Sequence, residues 1–178
     1  MIIGLTGFHS CGKSVLADFL VQRFGWRRVV KRLLLKEWSG AGEDESLWTA
    51  WYRDLYQKMD SREIMHHLLG QIKYDPLARE VILLDAVHSH GEWQAIKEAD
   101  PTSLLVGIFI PQSIRLQRSS QEDLTLDAKR KRFWHSDNGQ NCLLSEIEWS
   151  FSGTAGDALR ALEAQGLFDH LKAAGKID

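Results

Sequence analysis

The chain has 178 residues, of which 44% are hydrophobic and 26% are charged, and its formal net charge is −2. These values are typical of one soluble globular domain that forms a core without disulfides or metal, and the small net charge gives no strong nucleic-acid signal. The chain has only two cysteines and no apolar run near the roughly 18 residues that a membrane span needs. We therefore expect a cytoplasmic protein with no membrane partner.

Three short apolar runs predict buried strands, at residues 1–7, 80–87 and 103–110. They are continuously apolar rather than alternating, which favours a parallel sheet that is covered on both faces. Two weaker patterns, at residues 26–31 and 148–152, predict the remaining strands of a five-stranded sheet.

Amphipathic segments lie between the strands and predict helices. Val15, Leu16, Phe19 and Leu20 form one apolar stripe, and Gly25 follows as a C-cap. Strands that alternate with helices favour a three-layer α/β domain.

The middle of the chain predicts two consecutive helices. Apolar residues recur at helical spacing over 47–59. Asp60 and Glu63 then form a capping box, and this second helix should end before Pro76. Further helical patterns cover residues 91–99, 112–118, 125–134, 139–147 and 154–174.

The most specific motif lies between the first strand and the first helix. Gly7 is followed by four residues and then by Gly12, Lys13 and Ser14. In this context the backbone N–H groups form a nest for phosphates, the lysine reaches the β- and γ-phosphates, and the serine hydroxyl binds Mg²⁺. The predicted nucleotide-binding residues are Gly7, His9, Ser10, Cys11, Gly12, Lys13, Ser14 and Val15.

Asp85 ends the second strong strand, where a carboxylate faces the nucleotide crevice. We predict that it holds Mg²⁺ together with Ser14, while a helix-capping or turn-forming role stays open. A guanine-specific GTPase is disfavoured, because neither Asn138 nor Asn141 is followed by the lysine of an Asn-Lys-x-Asp motif.

Several segments resemble one group of kinases. Residues 2–14 resemble the opening of dephospho-CoA kinases and of related small P-loop kinases in the nucleoside monophosphate kinase group. Residues 12–38 are similar to the start of phage-type deoxynucleoside monophosphate kinases. Residues 81–98, 104–118 and 146–162 are similar to archaeal dephospho-CoA-kinase-like proteins. The resemblance implies a P-loop NTPase fold and an ATP-dependent phosphotransferase.

The resemblance also implies a division of roles along the chain. ATP and Mg²⁺ would be the cofactors, and the catalytic residues would be Lys13, Asp85, Arg115 and Arg118. The single kinase-like domain, residues 1–178, would contain an acceptor-binding helical insert at about 38–75 and a short lid at about 115–135. Lys129, Arg130 and Arg132 would contribute from that lid.

One departure from the family pattern bears on the acceptor. Dephospho-CoA kinases have an aspartate near the end of the second strand, but this chain has Lys31 and Arg32 there. A hydroxyl acceptor benefits from such a base, whereas a phosphate acceptor needs cations, and Lys31, Arg32 and Lys36 supply them. We therefore predict a small-molecule nucleotide acceptor, first of all a nucleoside or deoxynucleoside monophosphate. A dephospho-CoA kinase-like activity and a catalytically weak nucleotide-sensing module that regulates a partner are the alternatives.

Some residues keep two interpretations. Trp48, Trp51 and Tyr52 could stack on an acceptor base, but their helical spacing more often indicates a core or interface stripe. His88 could contact the acceptor or lie on a polar surface. A homodimer also stays open.

Overall fold

The computed structural model describes residues 1–8, 10–78, 80–118, 147, 149–151 and 155–177. Five parallel strands form one sheet in the order β2-β3-β1-β4-β5. The strands are β1 (Ile2–Gly7), β2 (Arg27–Val30), β3 (Ile82–Asp85), β4 (Leu104–Ile108) and β5 (Trp149–Phe151). The predicted α/β class with a parallel sheet is confirmed.

Helices cover both faces of this sheet. They are α1 (Lys13–Phe24), α2 (Lys31–Ser39), α3 (Glu45–Lys58), α4 (Ser61–Gln71), α5 (His90–Ala99), α6 (Gln112–Arg118), α7 (Ala155–Ala164) and α8 (Leu167–Ala173). Among the described helices, none is long and apolar enough to cross a membrane.

The core divides into two clusters, one on each face of the sheet. On one face, Leu16 and Leu20 of α1 are buried together with Leu83 and Val106 of the sheet. On the other face, buried residues of α2, α4 and α5 pack against the opposite sides of the same strands. Because neighbouring residues of a strand point to opposite faces, both clusters draw on each apolar run.

The ends of the helices follow the predicted capping pattern. Gly25 has the left-handed conformation, with φ of 69°, and its N–H bonds to the Val21 carbonyl oxygen. The Asp60 side chain caps α4, and Glu63 completes the capping box. The predicted stop before Pro76 also holds, because α4 ends at Gln71.

Two local features differ from the prediction. The strand predicted over 26–31 is present as β2, but Lys31 begins α2, a helix that the sequence did not predict. The single helix predicted over 154–174 is two helices, since Gly166, with φ of 79°, interrupts it. The helices predicted at 125–134 and 139–147 lie outside the described residues, except for Ile147, which belongs to no helix.

Candidate active site at the carboxyl end of the sheet

The loop between β1 and α1 has a backbone that favours glycine at both ends. Gly7 has φ of 141°, and a Cβ atom there would lie 2.5 Å from the Ile108 carbonyl oxygen. Gly12 has φ of 97°, and a Cβ atom there would meet nothing within 4 Å. The loop therefore begins tightly against β4 and ends in open space, beside the free N–H groups of the first turn of α1.

The Lys13 ammonium group bends back over this loop. It donates hydrogen bonds to the carbonyl oxygens of Gly7, at 2.9 Å, and Phe8, at 2.8 Å. The positive charge thus lies above the same backbone that would surround a phosphate. The predicted contact of Lys13 with the β- and γ-phosphates stays a prediction.

The other predicted loop residues have different surroundings. Cys11 is buried, with its sulfur 3.6 Å from the Lys13 nitrogen, whereas Val15 is exposed. Ser10 has φ of 57°. His9 lies outside the described residues.

Ser14 and Asp85 meet across the start of α1, although 71 positions separate them in the chain. The Ser14 hydroxyl donates to Asp85 Oδ2 at 3.2 Å. Asp85 is only 8% exposed, because β1 and β2 flank it through Leu5 and Val30. The structure therefore brings together the two residues predicted to share Mg²⁺.

Arg28 completes this group, although no local sequence pattern marks it as a site residue. Its guanidinium Nη2 donates to the same Asp85 Oδ2 at 2.5 Å, and its Nη1 pairs with Asp18 on α1. The side chain of Arg28 is 23% exposed. We call Ser14, Arg28 and Asp85 the Asp85 cluster.

The donor atoms of this cluster fit Mg²⁺. Ser14 and Asp85 offer hard oxygen atoms, which Mg²⁺ prefers, and Ser14 is exposed. Within the part of the chain that the structure describes, no group of three or more acidic, histidine or cysteine side chains forms a metal cage. Mg²⁺ would therefore be held by one or two protein oxygens together with nucleotide phosphates, as is usual for this ion.

Arg115 approaches the loop from α6. Its guanidinium carbon lies 4.9 Å from the ring centroid of Phe8, and the residue is 2% exposed. A cation–π contact of this kind fixes the arginine against the loop. Arg118 ends the same helix, but its side chain is not among those described, and nor are Lys129, Arg130 and Arg132 or the predicted lid beyond Arg118.

A second group of charged residues lies on the other side of the sheet. The Lys31 ammonium donates to both oxygens of Glu92, at 2.7 and 2.8 Å, and lies 3.0 Å from His88 Nδ1. Glu92 also accepts from the Tyr56 hydroxyl at 3.1 Å and from the His88 N–H at 2.7 Å. Lys31 is 3% exposed and Glu92 is 0% exposed. We call Lys31, Tyr56, His88 and Glu92 the Glu92 cluster.

Burial is the largest cause of the pKa shifts of two residues in this cluster, Lys31 and Tyr56. It lowers the pKa of Lys31, and the neighbouring Glu92 carboxylate opposes that shift. Burial also raises the pKa of Tyr56, and Glu92 adds to the increase. The predicted role of Lys31 as an open cation for an acceptor phosphate is therefore wrong, because the side chain is enclosed and already paired.

Arg32 and Lys36 are paired at the surface. Both donate to the Glu45 carboxylate, and their side chains are 54% and 19% exposed. The hydrogen bond from Lys36, followed by the charge of Arg32, outweighs the effect of burial and lowers the pKa of Glu45. Two cations share one anion here, so the group keeps a net positive charge.

The aromatic residues of α3 form a row within the helical layer. Ring centroids lie 5.8 Å apart for Trp48 and Trp51, 5.2 Å for Trp48 and Tyr52, and 4.7 Å for Tyr52 and Tyr56. Trp48 is 7% exposed, and the row ends at Glu92 through the Tyr56 hydroxyl. This arrangement agrees with a core stripe rather than with an open platform for a base.

The sequence contains only a weak signal for Glu92, which was not predicted as a site residue. Ser89 and Glu92 have the spacing of a capping box, and Ser89 does accept a bond from the Glu92 N–H. The Glu92 side chain, however, bonds to Lys31 instead of closing the box, and no local pattern predicts a partner 61 positions away.

Comparisons with known proteins agree with this fold. No protein-family model matches the chain, and no curated protein matches it by sequence. Among solved structures, the shikimate kinase of Aquifex aeolicus is similar, with 16% identity over 96% of this chain and 99% of that one and a TM-score of 0.53. The shikimate kinase of Acinetobacter baumannii, in complex with shikimate, has 13% identity over 96% and 94% and a TM-score of 0.54.

The shikimate kinase of Bacteroides thetaiotaomicron is also similar, with 10% identity over 96% of this chain and 99% of that one and a TM-score of 0.52. At these identities the likeness shows a shared α/β fold. The finer resemblance to dephospho-CoA kinases and deoxynucleoside monophosphate kinases stays a prediction.

Proposed function

We propose that the protein is an ATP-dependent phosphotransferase that acts on a small-molecule acceptor. The observation that carries this proposal is the placement of Ser14 within 3.2 Å of Asp85, at the start of the helix whose first residue is Lys13. A phosphate-binding loop, a lysine and a hydroxyl–carboxylate pair at one edge of a sheet are the parts that phosphoryl transfer needs.

Each of these parts has a defined task in the proposed reaction. The bond between the γ-phosphorus and the β–γ bridging oxygen breaks, and a new bond forms to an acceptor oxygen. Lys13 would leave the carbonyl oxygens of Gly7 and Phe8 to stabilise the phosphate charge. Ser14 and Asp85 would hold Mg²⁺, which neutralises the charge that develops on the leaving ADP.

We infer that the acceptor is anionic. Arg32 and Lys36 both pair with the exposed Glu45 carboxylate, and an acceptor phosphate would take the place of that carboxylate. The end of β2 provides no carboxylate base, because Val30 is followed by Lys31. A nucleoside or deoxynucleoside monophosphate is the first candidate, since its acceptor oxygen is already ionised and needs no base.

A nucleotide-sensing module is the second candidate. It is favoured by one observation, that Arg28 holds the Asp85 carboxylate in an ion pair at 2.5 Å. A module of this kind would bind ATP and would not transfer its phosphate.

Transfer of labelled γ-phosphate from ATP tests the two candidates. The acceptors are ribo- and deoxynucleoside monophosphates, dephospho-CoA and, because the similar structures are shikimate kinases, shikimate. Lys13→Ala should lower transfer by about 10²–10³-fold, as expected for the loss of a preorganised charge. The matched control is Lys172→Ala, which removes an exposed lysine from α8.

Each result of this assay has a separate meaning. Transfer to one acceptor that is lost in Lys13→Ala and kept in Lys172→Ala supports the kinase. Retained ATP binding without transfer to any acceptor supports the sensing module. A wild-type protein that binds no ATP contradicts both.

A further inference from the structure

We propose that Arg28 competes with a divalent cation for the Asp85 carboxylate. In the ligand-free protein, the Arg28 guanidinium group pairs with this carboxylate in place of the divalent cation. This inference rests on the proposed metal-binding role of Ser14 and Asp85. It assigns to Arg28 a role that its sequence context does not indicate.

The competition follows from the oxygen atom that the two donors share. Asp85 Oδ2 accepts from Ser14 Oγ at 3.2 Å and from Arg28 Nη2 at 2.5 Å. A cation that binds between Ser14 and Asp85 would need the same oxygen and would approach the guanidinium group closely. Like charges at such a distance repel strongly in a partly buried site, so the two cations exclude one another.

The carboxylates around Arg28 also favour this competition. Arg28 is paired with two carboxylates, Asp85 and Asp18, which lie on β3 and α1. Without the guanidinium group, Asp85 and Asp18 would lose this cationic partner. The Asp85 carboxylate would then keep only its hydrogen bond from the exposed Ser14 hydroxyl. Removal of Arg28 should therefore make the site more attractive to a free divalent cation.

Arg28 is also suited to leave Asp85 when a nucleotide binds. Its side chain is partly exposed, and its Nε is a buried donor with no hydrogen-bond partner among the described residues. A planar guanidinium fork forms bidentate bonds with phosphate oxygens. Arg28 can thus exchange a carboxylate for phosphate oxygens within the same crevice.

The test measures two ligands separately in Arg28→Gln. Mn²⁺ is titrated into the nucleotide-free protein and followed by electron paramagnetic resonance, and we expect about fivefold tighter binding than in the wild type. ATP with Mg²⁺ is titrated by calorimetry, and we expect about tenfold weaker binding. A residue that only stabilises the fold would not move these two affinities in opposite directions.

Arg27→Gln is the matched control. Arg27 is the preceding residue of β2, is 45% exposed and pairs with Glu80 instead. It carries the same charge, so both affinities should stay within about twofold of the wild type if the effect belongs to the Asp85 contact. In an Asp85→Asn background, Arg28→Gln should no longer tighten Mn²⁺ binding.

The proposal is overturned if Arg28→Gln binds Mn²⁺ no more tightly than the wild type, or if Arg27→Gln shows the same gain. If Arg28→Gln does not fold, Arg28→Lys replaces it; the charge is kept, so Mn²⁺ affinity should be unchanged while ATP binds more weakly. A gain in Mn²⁺ affinity for Arg28→Lys would overturn the proposal. The Mn²⁺ measurement uses no nucleotide, so it decides the role of Arg28 even if the wild type fails to bind ATP.

Discussion

Two ion-paired clusters flank the ends of the same two strands, yet their surroundings differ. In the Asp85 cluster, Arg28 is 23% exposed and shares one oxygen of Asp85 with Ser14. In the Glu92 cluster, Lys31 and Glu92 are 3% and 0% exposed, and both Glu92 oxygens are hydrogen-bonded. The residue types are alike, but access to solvent differs.

The difference arises from the helices that each pair contacts. Asp85 meets Ser14 on α1, whereas Lys31 begins α2 and meets Glu92 on α5, within the other helical layer. A pair with one partly exposed member, Arg28, can exchange its partner for a ligand more readily than a fully buried pair, which must stay intact. Position relative to the sheet thus separates a candidate binding site from a structural element.

The largest expected effect comes from breaking the buried pair. Lys31→Met should lower the free energy of unfolding by about 3–5 kcal/mol, because it leaves the Glu92 carboxylate buried without its cation. The measurement is urea unfolding followed by circular dichroism. The double substitution of Lys31 and Glu92 by methionine should recover at least half of the loss.

Arg32→Gln provides the comparison within α2. Arg32 is the residue after Lys31, but its side chain is 54% exposed. Its removal should change the free energy of unfolding by less than about 1 kcal/mol. Equal losses for Lys31→Met and Arg32→Gln would contradict the distinction between buried and exposed pairs.

Asp100 is a buried carboxylate that belongs to neither cluster, and it provides a test of a buried charge that depends on pH. Burial alone would raise the pKa of Asp100, but hydrogen bonds from Thr102 and Tyr74 outweigh it and lower the pKa to about 2, from 3.8. A carboxyl group with a lowered pKa stabilises the fold above its unfolded pKa. Its contribution of about 2 kcal/mol should be lost as the pH falls from about 4 to about 2.

Asp100→Asn isolates this contribution. The variant should be less stable than the wild type by about 2 kcal/mol at pH 7, and the difference should shrink toward pH 2. Thermal unfolding across this pH range measures it. A difference that stays constant with pH would show that the charge of Asp100 is not responsible.

Arg28→Gln should destabilise the protein less than Lys31→Met does. The variant removes a guanidinium group that is 23% exposed, and the buried Asp85 carboxylate keeps its hydrogen bond from Ser14, so the free energy of unfolding should fall by about 1–2 kcal/mol, below the loss for Lys31→Met. Urea unfolding in the absence of divalent cations measures the difference. A loss as large as that of Lys31→Met would place Arg28 among the structural residues.

Much of the fold could be predicted because its signals are local. The apolar run around Ile82–Asp85 predicts a strand, and Asp60 with Glu63 predicts the start of α4. The spacing of Gly7, Lys13 and Ser14 predicts the phosphate-binding loop before any contact is known. Each of these features depends on residues within a few positions of one another.

The pairing of charges could not be predicted in this way. Lys31 and Arg32 are adjacent and look equivalent in sequence, but Lys31 is buried against Glu92 and Arg32 is exposed beside Glu45. The start of α2 at Lys31 decides which of the two enters the core. The role of Arg28 likewise depends on Asp85, which is 57 positions away.

The aromatic row on α3 gives the molecule an intrinsic optical signal. Trp48 and Trp51 lie in a chain of rings that ends, through Tyr56, at the Glu92 cluster. Their emission should therefore follow the loss of the buried pair during unfolding. Ser14, Arg28 and Asp85 belong to no such chain, so we expect nucleotide or Mn²⁺ binding there to leave this emission almost unchanged. The emission of Trp48 and Trp51, above the background of the five other tryptophans, would then report on the layer that contains α3, while paramagnetic or calorimetric titration reports on the Asp85 cluster.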